Sequence, residues 1–198
     1  MIRLAAVTSR SMKIRALLAV VFLFCLVSPV VALAAEPQIY FSRTDPVANI
    51  ILREIASAKK SIHLLMYSLT DQEIAAALVA AAKRGVDVRI AFDSSQGEEK
   101  NSQTDEIIAQ LGPKRAVYQR GKGRGIMHEK MAIFDGLTVT LGSYNWTNNA
   151  KANNWENLIV LRDAKLAAEC TAEFNRVWQS PEPKLSGGNE TKPKAKGR

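Results

Sequence analysis

Two histidines and two cysteines are all that this chain of 198 residues has of each. The cysteines are Cys25 and Cys170, and Cys25 lies in an apolar run near the start. A chain that loses this run keeps one thiol and forms no intramolecular disulfide, so packing must hold it together even in an oxidising compartment. His63, His128 and Cys170 are then the nitrogen and sulfur ligands left, a supply that disfavours a zinc-type centre and implies neither metal nor cofactor. The apolar run itself, Ala16 to Val31, falls short of the ~20 residues that a membrane span usually needs.

That run has the build of an export signal. Arg3, Arg10, Lys13 and Arg15 precede it, and Ala32-Leu33-Ala34 follows with the small-x-small pattern of a cleavage site. Residues 1–34 are expected to be a signal peptide cut after Ala34, which places the mature chain in a periplasm or outside the cell. An uncleaved anchor is the alternative, and Met12 is an equally complete start. Cys25 follows Phe24 and not a small residue, against a lipoprotein site.

The formal charge of +8 is unevenly placed. The leader accounts for four cations and residues 184–198 for a further net +4, so the body, residues 35–183, carries no net charge. Composition therefore gives no globally basic nucleic-acid surface. The tail is rich in Pro, Gly, Ser and Lys and reads as disordered, either solubilising or a weak holder of polyanions. A body of this length is long enough for one domain around one core.

Strand and helix signals alternate along the body. Gln38 to Ser42 reads as a strand, Asp45-Pro46 as the cap and first residue of a helix running to Lys59, and Ser61 to Tyr67 as a buried strand. Asp71 caps an Ala-rich helix that stops at Gly85; Asp87 to Phe92 is a strand, Thr104 to Leu111 a helix, Ala116 to Gln119 a strand. This order predicts an α/β fold, a single domain with a largely parallel or mixed sheet covered by helices. Residues 120 to 125, RGKGRG, form a basic Gly-rich loop with Arg120, Lys122 and Arg124. A polar stretch covers Thr147 to Asn154 and a last strand Asn157 to Leu161. Asp163 opens a helix with Leu166, Cys170, Phe174, Val177 and Trp178 on one core-facing stripe.

Between these parts stands HEKMAIFDGLTVTLGSYN, residues 128 to 145. Asp135-Gly136 between alternating apolar runs predicts a two-residue hairpin turn, which pairs residue 134 with 137 and sets His128 across from Ser143. Lys130 then shares the face of His128, and Asn145 that of Ser143. An imidazole, an ammonium, a hydroxyl and a carboxamide converging on one side of a ribbon suit a phosphate: three of them donate to nonbridging oxygens and His128 attacks phosphorus. A serine-hydrolase arrangement is conceivable, but no nucleophile elbow surrounds Ser143.

The spacing His128-x-Lys130, four residues, Asp135, six residues, Gly142-Ser143-x-Asn145 resembles the signature of the phospholipase D superfamily without a departure. SIHLLMYSLTD, RGVDVRIAFD and NNWEN also resemble that family, so the likeness covers roughly residues 38 to 179. One motif copy in a short chain with a leader looks most like the bacterial Nuc-type endonucleases. The resemblance implies an α-β-α sandwich and a phosphohistidine formed on His128 without a metal. It also implies a second histidine as acid, which a single motif cannot supply; the family solution is a homodimer that brings two motifs to its two-fold axis. His63 has no neighbouring lysine and sits in an apolar strand, so it reads as packing. The resemblance assigns Glu156 in NNWEN as the carboxylate that fixes the histidine tautomer, and gives Asp135 a site role beside its turn role.

The motif fixes a reaction at phosphorus, not the alcohols around it. DNA or RNA is the expected substrate, with Arg120, Lys122 and Arg124 before His128, and with Trp146 and Trp155 each suited either to stack on bases or to pack in the core. Nonspecific endonuclease activity is the reading. A phospholipase D or cardiolipin hydrolase, and a noncatalytic DNA-binding protein, are the alternatives.

Overall fold

The computed structural model describes residues 35–97 and 99–180; the expected signal peptide and the expected tail lie outside the described residues. In the first half β1 spans Ala35–Phe41, α1 Val47–Ser57, β2 Ser61–Met66, α2 Gln72–Lys83, β3 Asp87–Asp93, α3 Thr104–Leu111 and β4 Ala116–Gln119, with a short 3-10 turn at Ser94–Gln96. The second half has β5 Lys130–Phe134, β6 Thr138–Gly142, α4 Asn148–Ala152, β7 Asn157–Arg162 and α5 Ala164–Trp178. All seven strands join one sheet in the order β1-β7-β6-β5-β2-β3-β4. The pairs β2–β3 and β3–β4 are parallel, the other four antiparallel, so the sheet is mixed as the alternating pattern predicts.

Both faces of the sheet are covered. Ile62, Leu64 and Met66 of β2, with Val88, Ile90 and Phe92 of β3, pack under α1, α2 and α3. Leu65, Ala91, Met131, Ile133 and Val139 point the other way and meet Ala167, Cys170 and Phe174 of α5. Strands buried on two faces read as apolar runs, as in Leu64-Leu65-Met66, while the half-buried Ser61 and His63 alternate with Ile62 and Leu64 at the start of β2. Cys170 is packing, and burial pushes its thiol pKa up.

The helix ends follow their local chemistry, with one exception. The Asp71 carboxylate accepts from the amides of Glu73 and Ile74, and Asp163 does the same for Lys165 and Leu166. Gly85 ends α2 with a φ of 94°. Asp45, by contrast, does not cap α1: the helix begins at Val47, Pro46 stands at the cap position without a side-chain hydrogen bond, and the Asp45 carboxylate turns back to the Phe41 amide at 2.8 Å. Burial of Val47, Ile50, Ile51 and Ile55 holds this helix in place.

The hairpin differs from the predicted one by one residue. Asp135 and Gly136 take positive φ, 56° and 66°, but the Leu137 amide donates to the Phe134 carbonyl and Phe134 pairs with Thr138. The loop thus holds three residues, and the register moves His128 from opposite Ser143 to the parity of Tyr144. Asp135 also makes contacts beyond the turn. Its carboxylate is pulled across to accept from the amides of Lys59, Lys60 and Ser61 at 2.7–3.1 Å, while its own amide donates to Ser61. Asp135 therefore joins the α1–β2 connection to the β5–β6 turn.

Burial works to raise the Asp135 pKa, but the three amide donors and the Lys60 charge outweigh it and hold the value below 3.8. A depressed carboxylate pKa contributes stability that is present above the unfolded value and lost as pH falls through the folded one. Asp135→Asn is expected to lower unfolding free energy by about 1–2 kcal/mol at neutral pH. In urea titrations the deficit should shrink below pH 4; an equal deficit at pH 2.5 and pH 7 would contradict the clamp.

Candidate active site

At one end of the sheet β1, β2 and β6 finish and β5 and β7 begin. β2 ends at Met66, paired with Lys130, the first residue of β5; β6 ends at Gly142, paired with Leu158; β1 ends at Phe41, paired with Asn157. The motif residues gather at this end because their strands stop or start there, and not by facing each other across a ribbon.

His128 is exposed in the extended segment just before β5. Its ring meets Tyr67 edge to face, with centroids 4.5 Å apart and planes at 63°. Lys130 Nζ donates to the His128 carbonyl at 2.8 Å and lies 4.8 Å from the centre of the same Tyr67 ring, a cation–π contact. Burial lowers the Lys130 pKa below the usual lysine value, and the negative charge of Glu156 works against that.

Glu156 is engaged twice. Its Oε2 accepts from Ser143 Oγ at 2.5 Å and its Oε1 from Asn154 Nδ2 at 2.9 Å. Ser143 Oγ also accepts from the Asn157 amide, and the Glu156 amide donates to Ser42 Oγ. Within one chain the Glu156 carboxylate is thus turned to Ser143 and Asn154, not to His128 as the resemblance implies. Gly142 is required for this arrangement: a Cβ there would run into the Asn157 carbonyl oxygen.

Asn145 Oδ1 is buried without a hydrogen-bond partner. The residue lines a polar cleft of about 340 Å³ whose walls include Tyr67, Ser68, Gln96, Asn148 and Asn154. Two of its amides, Asn148 and Asn149, come from α4, which lies within the polar stretch of Thr147 to Asn154. Thr147 caps it by accepting from the Ala150 amide.

The remaining expected residues divide. Arg120, Lys122 and Arg124 are exposed in the loop before His128. Trp146 is 1% exposed, packs in the larger core, and uses its carbonyl to accept from Thr70 and Asp71; its expected stacking role is excluded by burial. Trp155 is 84% exposed and keeps its ring free. Asp135 sits at the far end of β5, roughly 20 Å from His128 at ~3.3 Å per residue, and touches none of the site. His63 stacks on Phe174 at 4.6 Å, and burial first, then Arg89, lowers its pKa. Among the described residues no group of three His, Cys, Asp or Glu side chains is placed to hold a metal ion.

Tyr67, Gln96, Ser42 and Asn154 escape sequence reading as site residues. Each acts through a contact across at least 29 positions, or lies in a segment without period, so no local pattern marks it.

An exposed imidazole and an ammonium that share one tyrosine ring thus stand at the strand ends of a seven-stranded α/β sheet. The family model described as "Cardiolipin synthase, PLD-like domain" matches residues 51–178. The chain belongs to this phospholipase D-like family. It is 31% identical over 138 residues to a mitochondrial cardiolipin hydrolase from Chlamydomonas reinhardtii, covering 70% of this chain and 60% of that protein. It is 37% identical over 129 residues to a phospholipase D from Rickettsia bellii, covering 64% and 61%. The chain thus spans about 60% of the length of these two relatives. Among solved structures, Nuc from Salmonella typhimurium, a phospholipase D family member, superposes with a TM-score of 0.62 at 32% identity, covering 72% of this chain and 93% of that one. NucT from Helicobacter pylori gives 0.63 at 27%, covering 73% and 96%.

Gly142→Ala is expected to part β6 from β7 at this end and to cost about 1–3 kcal/mol. Thermal unfolding measures the loss, and the amide resonances of Ser143, Glu156 and Asn157 should shift together. A variant with unchanged melting temperature and spectrum would refute the close approach.

Proposed function

We propose that this chain is a phosphodiesterase whose nucleophile is His128, and that its substrate is nucleic acid. The observation that carries the chemistry is the exposed His128 imidazole set edge-on to Tyr67, with the Lys130 ammonium over that same Tyr67 ring and bonded to the His128 carbonyl. In this reading a neutral His128 nitrogen attacks phosphorus, a P–N bond forms, and the P–O bond to the leaving alcohol breaks. The alkoxide takes a proton from an imidazolium, and water then cleaves the P–N bond. Lys130 neutralises charge that develops on the nonbridging oxygens, so the step runs without a metal.

The chain has one histidine at the site, so the acid comes from a second copy, and the working unit is a homodimer with two His128 rings around one phosphate. An uncovered apolar strip beside the site supports this: Ile39 and Phe41 of β1 are 54% and 49% exposed, next to Ile159 of β7. In that assembly Glu156 remains the candidate for orienting imidazole, across the two-fold.

Nucleic acid is favoured by the cleft, lined mainly by polar side chains, by Arg120, Lys122 and Arg124, and by the exposed Trp155. The phospholipid reading draws on the same strip, Ile39 and Phe41, as a lipid contact, and on the names of the relatives. The leader pattern of residues 1–34 supports export to a periplasm or beyond.

Purified protein with plasmid DNA in EDTA should nick it, and His128→Ala should abolish nicking while leaving DNA binding measurable. Release of phosphatidic acid from cardiolipin or phosphatidylcholine vesicles with intact plasmid would select the phospholipase, and binding without cleavage by the native chain the noncatalytic alternative. Cleavage that needs magnesium and survives His128→Ala would overturn the mechanism.

Lys130→Ala is expected to lower kcat by about 10²–10³-fold. Because burial depresses the Lys130 pKa, activity should fall on the alkaline side below the ordinary lysine pKa of 10.5. Lys130→Arg, which stays charged, should shift that limb upward. A pH–rate profile with the same alkaline limb in both proteins would remove Lys130 from the reaction.

A further inference from the structure

Asp93, the last residue of β3, is 1% exposed, and its two oxygens have different tasks. Oδ1 caps the Ser94–Gln96 turn, accepting from the Ser95 amide at 2.9 Å and from the Ser95 hydroxyl. Oδ2 accepts from the Met127 amide at 2.6 Å, across 34 positions, one residue before His128. Capping a turn needs one oxygen; the second is spent on the backbone that carries the imidazole. The capped turn reaches the same ring by another route, since Gln96 Nε2 donates to Tyr67 Oη at 2.9 Å and the Tyr67 ring abuts His128 at 4.5 Å.

We propose that Asp93 is a positioning residue for His128, which it holds from two sides: through Met127 into the main chain, and through Gln96 onto the Tyr67 ring. This rests on His128 being the nucleophile. Asp93 suits the task because an ionised carboxylate only accepts, and every group it meets is a donor; an asparagine would turn its own N–H toward one of them. Met127 is 5% exposed and packs with Leu65 and Met131, so its amide has no solvent to fall back on. The imidazole itself is exposed, and among the described residues no side chain hydrogen-bonds it. Its aim toward phosphorus therefore depends on where its backbone starts and on the aromatic edge beside it.

The test uses the full chain and bis(p-nitrophenyl) phosphate, a diester too small to reach the basic loop. A nucleophile displaced by about 1 Å loses roughly 10²-fold in rate, so Asp93→Asn is expected to lower kcat by about 10–100-fold with KM within about twofold. Tyr67→Phe, which keeps the ring and removes the Gln96 contact, should lower kcat by a smaller factor. Asp163→Asn, the same carboxylate-to-amide change at a helix cap on the opposite end of the sheet, should change neither. The imidazole resonances of His128 should shift in Asp93→Asn and Tyr67→Phe and stay in place in Asp163→Asn. An Asp93→Asn protein with native melting temperature, unchanged kcat and unmoved His128 resonances would overturn the proposal, as would a kcat loss matched by an equal change in Asp163→Asn. If Asp93→Asn fails to fold, Tyr67→Phe and Gln96→Ala decide by the same readouts. If the native chain cleaves no phosphodiester, the function proposed above falls, and the His128 resonances alone decide whether Asp93 and Tyr67 position the ring.

Discussion

The register of β5 between β2 and β6 is the constraint on which the site depends. β5 is buried on both faces, with Ala132 and Phe134 toward one core and Met131 and Ile133 toward the other. A slip of one residue would exchange these sets, and because the side-chain period is two, no half-measure exists. The register is pinned at one end by Asp135 on the amides of Lys59 to Ser61 and at the other by the Met66–Lys130 pair. Lys130 and His128 stand where they do because the strand behind them cannot move.

This division of labour explains why one motif holds residues with unlike roles. His128 and Lys130 belong to the strand end that touches solvent. Asp135 belongs to the opposite end, where a carboxylate closes a turn. Gly142 belongs to the seam with β7, where a side chain would strike the Asn157 carbonyl. A fixed spacing between such residues measures the length of the hairpin as much as the geometry of the chemistry.

Much of the fold was legible from local signals, because those signals act locally. Asp71 and Asp163 cap through amides two and three residues on, and Thr104–Leu111 and Ala116–Gln119 are bounded by their own polar and glycine neighbours. Two of the misreadings share one cause, a partner distant in sequence, whereas Asp45 is drawn off its helix by an amide only four residues away. Asp135 looked like half of a two-residue turn until its carboxylate was drawn to Lys60, 75 positions away, and the loop gained Leu137. Trp146 looked like a base-stacking ring beside the motif, but its backbone bridges to Leu69 and its indole fills the core. Tyr67, which carries both His128 and Lys130, offered nothing in its own neighbourhood to mark it.

The charges of the body sum to zero, yet the site presents cations to solvent at Lys130 and along the loop from Arg120 to Arg124. A neutral protein with a local cluster attracts an anion only at short range, since ions screen charges beyond about 8–10 Å. Attraction by such a surface acts at contact range, and little steers an anion toward it from afar. Within the site, burial has already stripped Lys130 of part of its hydration, which is why its pKa falls, and a less hydrated ammonium interacts more strongly with an adjacent anion. The price is a cation that deprotonates more readily, and the negative charge of Glu156 offsets this from the other side of the strand ends. The carboxylate whose charge acts on Lys130 also holds Ser143, so the electrostatics around the ammonium and the packing of β6 against β7 share one side chain.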